Sequence, residues 1–235
     1  MCSGRVDLSF VLRAFLKGMD GVFIGGCRLN ECNYITHGNY HALNMVLLSK
    51  KLMEHLGLNP ERLRIAFMSS GEGILFAEVM NDFSKKVKEL GPLGQGEGID
   101  KEELKSRLKE VTRLVPYIKL LKNEKLGTPL QNIEEYDKLF TSNEIDNLFR
   151  EVPSYYIDPE KCQACMICAR RCPAEAIAGG KNLIHVIDQE KCIKCGTCFE
   201  ACPPRFGAVK KISGQPVPPP IPEEERTLVR KSKEK

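Results

Sequence analysis

The chain has 235 residues, 42% of them hydrophobic and 28% charged, with a net charge of +4. This is ordinary for a globular protein of one large or two modest domains, and a mild charge spread along the chain argues against the clustered basic face of a nucleic-acid binder. No apolar run approaches the roughly 18–20 residues that cross a bilayer, and Arg5, Asp7 and Arg13 interrupt the first apolar stretch. The chain therefore reads as cytoplasmic, with no membrane insertion expected. Eleven cysteines stand out, eight of them between residues 162 and 202. In a chain read as cytoplasmic, such clustering points to metal ligands rather than disulfides.

In chain order, "DLSFVLRAFLKG" predicts a helix with Asp7 as N-cap, Gly18 as its stop, and an inward face of Phe10, Val11, Ala14 and Phe15. "GVFIGG" (21–26) predicts a short strand buried on both faces. "ALNMVLLSKKLMEHLG" (42–57) predicts a helix with Leu43, Val46, Leu47 and Leu52 inward, and "RLRIAFMSS" (62–70) predicts the next strand. "GILFAEVMNDFSKKVKELG" (73–91) predicts another helix ending in glycine. Alternating strands and helices imply parallel strands with right-handed crossovers, so residues 1–95 read as an α/β domain.

"GPLGQGEG" (91–98) is a glycine-rich break that follows a helix, which argues against a phosphate cradle. Asp100 and Glu103 form a capping-box pattern ahead of a stripe of Leu104, Leu108, Val111 and Val115. Pro116 is expected to kink or end that helix. A short helix is predicted around 142–150, so residues 96–154 read as a helical linker. The tail, residues 214–235, starts proline-rich and ends charged; it is expected to be extended, either lying on a partner or mobile.

The densest signal is an internal repeat of 30 residues. "IDPEKCQACMICARRCP" (157–173) aligns with "IDQEKCIKCGTCFEACP" (187–203), and 9 of 17 positions are identical. Each copy carries C-x2-C-x2-C-x3-C-P. Zinc sites commonly use two separated C-x2-C pairs, which tandem three-plus-one runs closed by Cys-Pro fit poorly. Residues 155–213 closely resemble two-cluster bacterial ferredoxins, small α+β domains in which the fourth cysteine of each run serves the other cluster. The resemblance implies one [4Fe–4S] cluster on Cys162, Cys165, Cys168 and Cys202, and a second on Cys192, Cys195, Cys198 and Cys172. Between 157 and 213 there are nine Lys/Arg and six Asp/Glu. A slightly basic, tethered module favours a fixed relay over an acidic, freely diffusing carrier.

A second resemblance covers roughly residues 1–92. "MCSGRVDLSFVLRAFLKGMDGVFIGGCRLNECNY", "HGNYHALNMVLLSKKL" and "ERLRIAFMSSGEGILFAEVMNDF" occur in the order found in the delta subunit of methyl-viologen-reducing hydrogenase. That family couples hydrogenases or formate dehydrogenases to the A-type component of heterodisulfide reductase, a flavin and iron–sulfur protein, in anaerobic metabolism. It carries a [2Fe–2S] cluster, whose matching cysteines here are Cys2, Cys27 and Cys32. Bottom-up, Cys27 falls at the carboxyl end of a predicted parallel strand, where α/β sheets place their sites. Family members begin with a further segment containing a strand, a C-x-x-C-type motif and a second strand. Starting at "CSGR", this chain is expected to have an incomplete sheet and an incomplete [2Fe–2S] site, completed by that segment or by a partner. His37 and His41 are candidate ligands, but the start of a polar helix accounts for both.

No nickel-binding cysteine pairs, pterin signature or complete dinucleotide fingerprint is present, so no substrate site is expected. The resemblances imply an electron-transfer subunit between a hydrogenase- or formate-dehydrogenase-like partner and a heterodisulfide-reductase-A-like flavoprotein. The competing reading is a docking or assembly protein whose redox centres are the two ferredoxin clusters alone.

Overall fold

The computed structural model describes residues 2–34, 37–129 and 133–227. Among them, no helix is long and apolar enough to cross a membrane. The chain divides into two compact units, Met1–Leu148 and Phe149–Lys235.

In the first unit, β1 (Val22–Gly26) and β2 (Leu63–Phe67) pair in parallel, in register from Val22 with Leu63 to Gly26 with Phe67. The crossover between them is α2 (Asn39–Leu56), ended by Gly57 in the left-handed conformation at φ 82°. The double burial expected for "GVFIGG" does not occur: only Ile24 of β1 is buried. The sheet has two strands among the described residues, and the helix beyond it, α3 (Gly73–Leu90), buries only Phe83. Phe23 instead meets Phe83 and Phe76, with ring centroids 5.7 and 6.4 Å apart.

Helix α1 (Leu8–Leu16) starts as predicted, Asp7 accepting from the Ser9 amide at 2.8 Å. Its buried face is Leu8, Val11, Leu12 and Phe15, whereas Phe10 is 58% exposed. The shift follows from its neighbours. Packing against both α2 and α4 (Lys101–Gly127) centres the stripe on positions i, i+4 and i+7 from Leu8.

The stretch expected to be a linker forms α4, α5 (Ile133–Leu139) and α6 (Ser142–Arg150). Helix α4 lies inside the first unit, along α1 and α2. It does not end at Pro116. Leu114, Val115, Tyr117 and Ile118 are buried on either side of the proline, and Pro116 itself is exposed. Burying such side chains contributes about 1.5–3 kcal/mol each, enough to offset one missing helical hydrogen bond. Asp100 caps α4 as expected, but Glu103 pairs with Arg107 rather than completing the box. At the other end, buried Asn44 of α2 donates to the carbonyls of Lys125, Leu126 and Thr128, satisfying acceptors that a helix end leaves open.

The glycine-rich break closes around Arg62, whose side chain is fully buried. The guanidinium donates to Glu97 at 2.6 and 3.0 Å, and to the carbonyls of Asp20, Leu90 and Gly91 at 2.9–3.1 Å. "GPLGQGEG" is therefore a clasp on an arginine, tying the end of α3 to the start of β2.

The second unit repeats one motif twice. Strand β3 (Ser154–Ile157) leads through the first cysteine run and α7 (Ile167–Arg171) to β4 (Ile177–Gly180). Strand β5 (Leu183–Ile187) leads through the second run and α8 (Thr197–Ala201) to β6 (Val209–Ile212). The antiparallel pairs are β3–β6 and β4–β5, so the outer strands of the two copies interlock. The tail, expected to lie on a partner or be mobile, lies on this unit up to Thr227. The Ile184 amide donates to the Arg226 carbonyl at 2.7 Å, and Leu183 bridges to Thr227. Residues 228–235 lie outside the described residues.

Candidate metal centres

Each cysteine run wraps because of two left-handed residues. Ala164 (φ 51°) and Met166 (φ 67°) flank Cys165, and Lys194 (φ 60°) and Gly196 (φ 81°) flank Cys195. Alternating right- and left-handed residues turn successive amide N–H groups inward, forming a nest that suits anionic sulfur. The third cysteine of each run then enters a short helix, as Cys168 in α7 and Cys198 in α8, and both are buried.

The two buried thiols report their surroundings. Burial, then the neighbouring Cys162, pushes the Cys168 thiol up to about 11, with Cys165 and Cys202 adding to the rise. Burial, then Cys192 and Cys195, pushes Cys198 up to about 12, with Cys168 and Cys172 adding to it. Cys168 thus feels two cysteines of its own run and Cys202 of the other, while Cys198 feels two of its own run and both Cys168 and Cys172 of the first, across the contact of α7 with α8. Thiols this buried keep their protons unless metal displaces them, so the donor chemistry fits iron–sulfur clusters. The Ala176 amide also donates to Cys172 Sγ at 3.3 Å. Among the described residues, no three His, Cys, Asp or Glu side chains are arranged to hold a single metal ion.

In the first unit, Cys27 follows β1 directly, at the carboxyl end of the parallel pair. Cys2 caps the single helical turn Ser3–Arg5, its sulfur accepting from the Gly4 amide at 3.4 Å. Cys2, Cys27 and Cys32 all line one cavity of about 520 Å³, with Met68 and Phe76 on its apolar wall. Cys2 Sγ and Cys32 Sγ are 3.8 Å apart. Two thiolates held about 2.3 Å from one tetrahedral ion stand roughly that far apart, so this pair fits one iron.

Sequence reasoning missed Asn39, a buried residue whose amide donates to the carbonyls of Cys27 and Arg28 at 2.9 and 2.6 Å and lies 3.7 Å from Cys27 Sγ. Polar Asn at a helix start gives no hint of that role. Gly38 is required by close approach, because a Cβ there would overlap Cys32 Sγ and the Tyr34 carbonyl.

The three thiols are not equivalent. Burial raises Cys27, and Cys32 and then Cys2 raise it further. Burial also raises Cys32, but the Tyr34 and Asn39 amides and the other two thiols outweigh it and hold Cys32 below the usual thiol range. Neither histidine lines the cavity. His41 is half-buried, which lowers its pKa, and its buried Nδ1 has no hydrogen-bond partner among the described residues.

A two-run ferredoxin unit and an α/β unit with three cysteines around one cavity define an iron–sulfur protein. Residues 1–91 match the model of the methyl-viologen-reducing hydrogenase delta subunit, and residues 154–203 match the 4Fe–4S dicluster domain. The first match is 47% identical over 91 residues to the D-type iron–sulfur subunit of the F420-non-reducing hydrogenase of Archaeoglobus profundus, covering 39% of this chain and 66% of that one. The corresponding hydrogenase subunit of Methanopyrus kandleri is 42% identical over 92 residues, covering 39% and 69%. The A-type subunit of the ferredoxin/F420H2-dependent CoB-CoM heterodisulfide reductase of Methanosarcina acetivorans is 45% identical over 94 residues, covering 40% and 12%. The chain belongs to the methyl-viologen-reducing hydrogenase delta subunit family. It spans just under two thirds of the Archaeoglobus relative's length and about an eighth of the Methanosarcina one.

Proposed function

We propose that this chain is an electron-carrying subunit relaying electrons, one at a time, between a hydrogenase- or formate-dehydrogenase-like partner and a heterodisulfide-reductase-A-like flavoprotein in the cytoplasm. The observation that carries the reading is the pair of cysteine runs, each wrapped over two left-handed residues and packed on one ferredoxin-like core. Cys162, Cys165, Cys168 and Cys202 hold one [4Fe–4S] cluster; Cys192, Cys195, Cys198 and Cys172 hold the other. Cys2, Cys27 and Cys32 supply three ligands of a [2Fe–2S] site whose fourth comes from elsewhere. The clusters would supply reversible one-electron chemistry, and the thiols and loops of each unit would hold them and set their surroundings.

The partners are favoured by where the first unit recurs. The chain matches about two thirds of a hydrogenase iron–sulfur subunit and about an eighth of a heterodisulfide reductase A-type subunit, and residues 1–91 carry the hydrogenase delta-subunit match. A module found on both sides of that boundary suits a contact that hands electrons across it. In the docking alternative, the first unit holds no cluster and tethers the ferredoxin module.

The test is anaerobic purification followed by reduction. About eight irons per chain are expected from the two four-iron clusters, together with their reduction by hydrogen through the hydrogenase partner and reoxidation by the flavoprotein. A chain that binds both partners and passes no electrons would overturn the relay.

A further inference from the structure

The two halves of the ferredoxin unit are nearly superimposable in pattern, which makes their differences informative. Tyr155 in β3 and His185 in β5 hold equivalent places in the 30-residue repeat, as do Met166 and Gly196. Each strand residue covers the opposite loop. The Tyr155 hydroxyl would lie 2.8 Å from a Cβ on Gly196, and His185 Nε2 lies 3.2 Å from Met166 Sδ. One set of four cysteines is thus capped by a phenol and the other by an imidazole.

The imidazole is held in a built site. His185 is fully buried, and a Cβ on Gly179 of β4 would collide with its ring. Its Nδ1 lies 3.8 Å from Cys162 Sγ. A metal-bound thiolate only accepts hydrogen bonds, whereas a thioether is a weak acceptor. The neutral imidazole must turn its one lone pair to one of the two sulfurs, and facing the neutral thioether of Met166 costs less than facing an anionic thiolate. The favoured tautomer carries its proton on Nδ1, facing Cys162.

We propose that His185 donates its Nδ1–H to Cys162 Sγ and thereby raises the reduction potential of the cluster on Cys162, Cys165, Cys168 and Cys202. This rests on the reading that those four cysteines hold a [4Fe–4S] cluster. A donor at a ligand sulfur stabilises the reduced cluster, which carries one more negative charge, and hydrogen bonds to sulfur are among the features that set such potentials. His185 acts through a ligand and is a positioning residue. With Tyr155 in the matching place, the repeat gives two clusters of like ligation and unlike potential.

The test uses the anaerobically purified full chain with its histidines labelled with ¹⁵N. Pulsed EPR of the reduced protein should show a ¹⁵N hyperfine coupling on one cluster, absent in His185→Phe. In redox titration, His185→Phe should lower one midpoint by the equivalent of roughly tenfold in electron occupancy, about 59 mV for one electron, and leave the other in place. His185→Asn, which keeps an amide donor, should recover part of the shift. Two clusters without a ¹⁵N coupling in the wild-type chain, or midpoints that move together, overturn the proposal and leave the cluster reading intact. Absence of the clusters overturns both. The ¹⁵N measurement on the wild-type chain stands even if the Phe variant loses a cluster.

Discussion

Replacing Arg62 by Met would test the clasp that sets the first unit's sheet. Arg62 has a fully buried side chain and makes five hydrogen bonds of 2.6–3.1 Å, to the Glu97 carboxylate and to the carbonyls of Asp20, Leu90 and Gly91. Met fills a similar volume but leaves Glu97, 9% exposed, as a buried carboxylate without its cation. Removing one partner of such a pair costs about 3–5 kcal/mol. At about 1.4 kcal/mol per tenfold, amide protection in α2 and β2 should fall by roughly a hundred- to several-thousand-fold. Hydrogen exchange read by mass spectrometry measures this peptide by peptide, with β3–β6 of the second unit as an internal control. Adding Glu97→Leu should recover part of the loss by removing the orphaned charge. A fall of less than about threefold in α2 and β2 would mean that the clasp contributes under roughly 0.7 kcal/mol and does not hold the sheet.

The proposed exchange of ligands between the two runs predicts that Cys162→Ser with Cys202→Ser leaves one cluster, about four irons per chain, by iron analysis and EPR; loss of both clusters would show that the runs do not exchange ligands. Pro116→Ala restores a helical N–H at an exposed position, so the thermal midpoint of the first unit should rise by a few degrees in calorimetry; an unchanged or lower midpoint would mean α4 is bent to suit the proline. Burial raises the Asp7 carboxyl, but hydrogen bonds from Lys119 and the Ser9 amide outweigh it and hold its pKa below the usual value. Its capping contribution, about 1 kcal/mol, is therefore present above the ordinary carboxylate pKa and lost as pH falls through the lowered one; Asp7→Ala and the wild type should differ at pH 6 and converge under strong acid.

The chemistry was legible in the sequence where spacing itself is chemistry. C-x2-C-x2-C-x3-C-P written twice marks two loops that wrap, and in the structure each run turns over two left-handed residues beside one shared core; which cysteine crosses over is what the ferredoxin resemblance implies. The α/β order was legible from alternating runs and from caps such as Asp7 and Asp100. What escaped depends on neighbours distant in sequence. The stripe of α1 turned from Phe10 to Leu8 and Leu12 because two helices cover it. Pro116 was overridden by the apolar residues around it. Asn39, Asn44 and Arg62 are polar residues whose burial is justified by carbonyls far along the chain. His185 carries no signal in the sequence, and its place beside the first cysteine run follows only from where β5 lies.

On the proposed relay, electrons pass through both units of this chain, the site of Cys2, Cys27 and Cys32 included, and replacing Cys27 in the assembled complex tests that step. With the hydrogenase and flavoprotein partners bound, stopped-flow spectroscopy follows the appearance of reduced flavin after hydrogen is added. A relay predicts that Cys27→Ser leaves the complex assembled and both [4Fe–4S] clusters in place while flavin reduction falls by about a hundredfold or more, each tenfold being about 1.4 kcal/mol of barrier. Flavin reduction at the wild-type rate in that intact complex would show that no electron passes through the first unit and leave that unit as a dock.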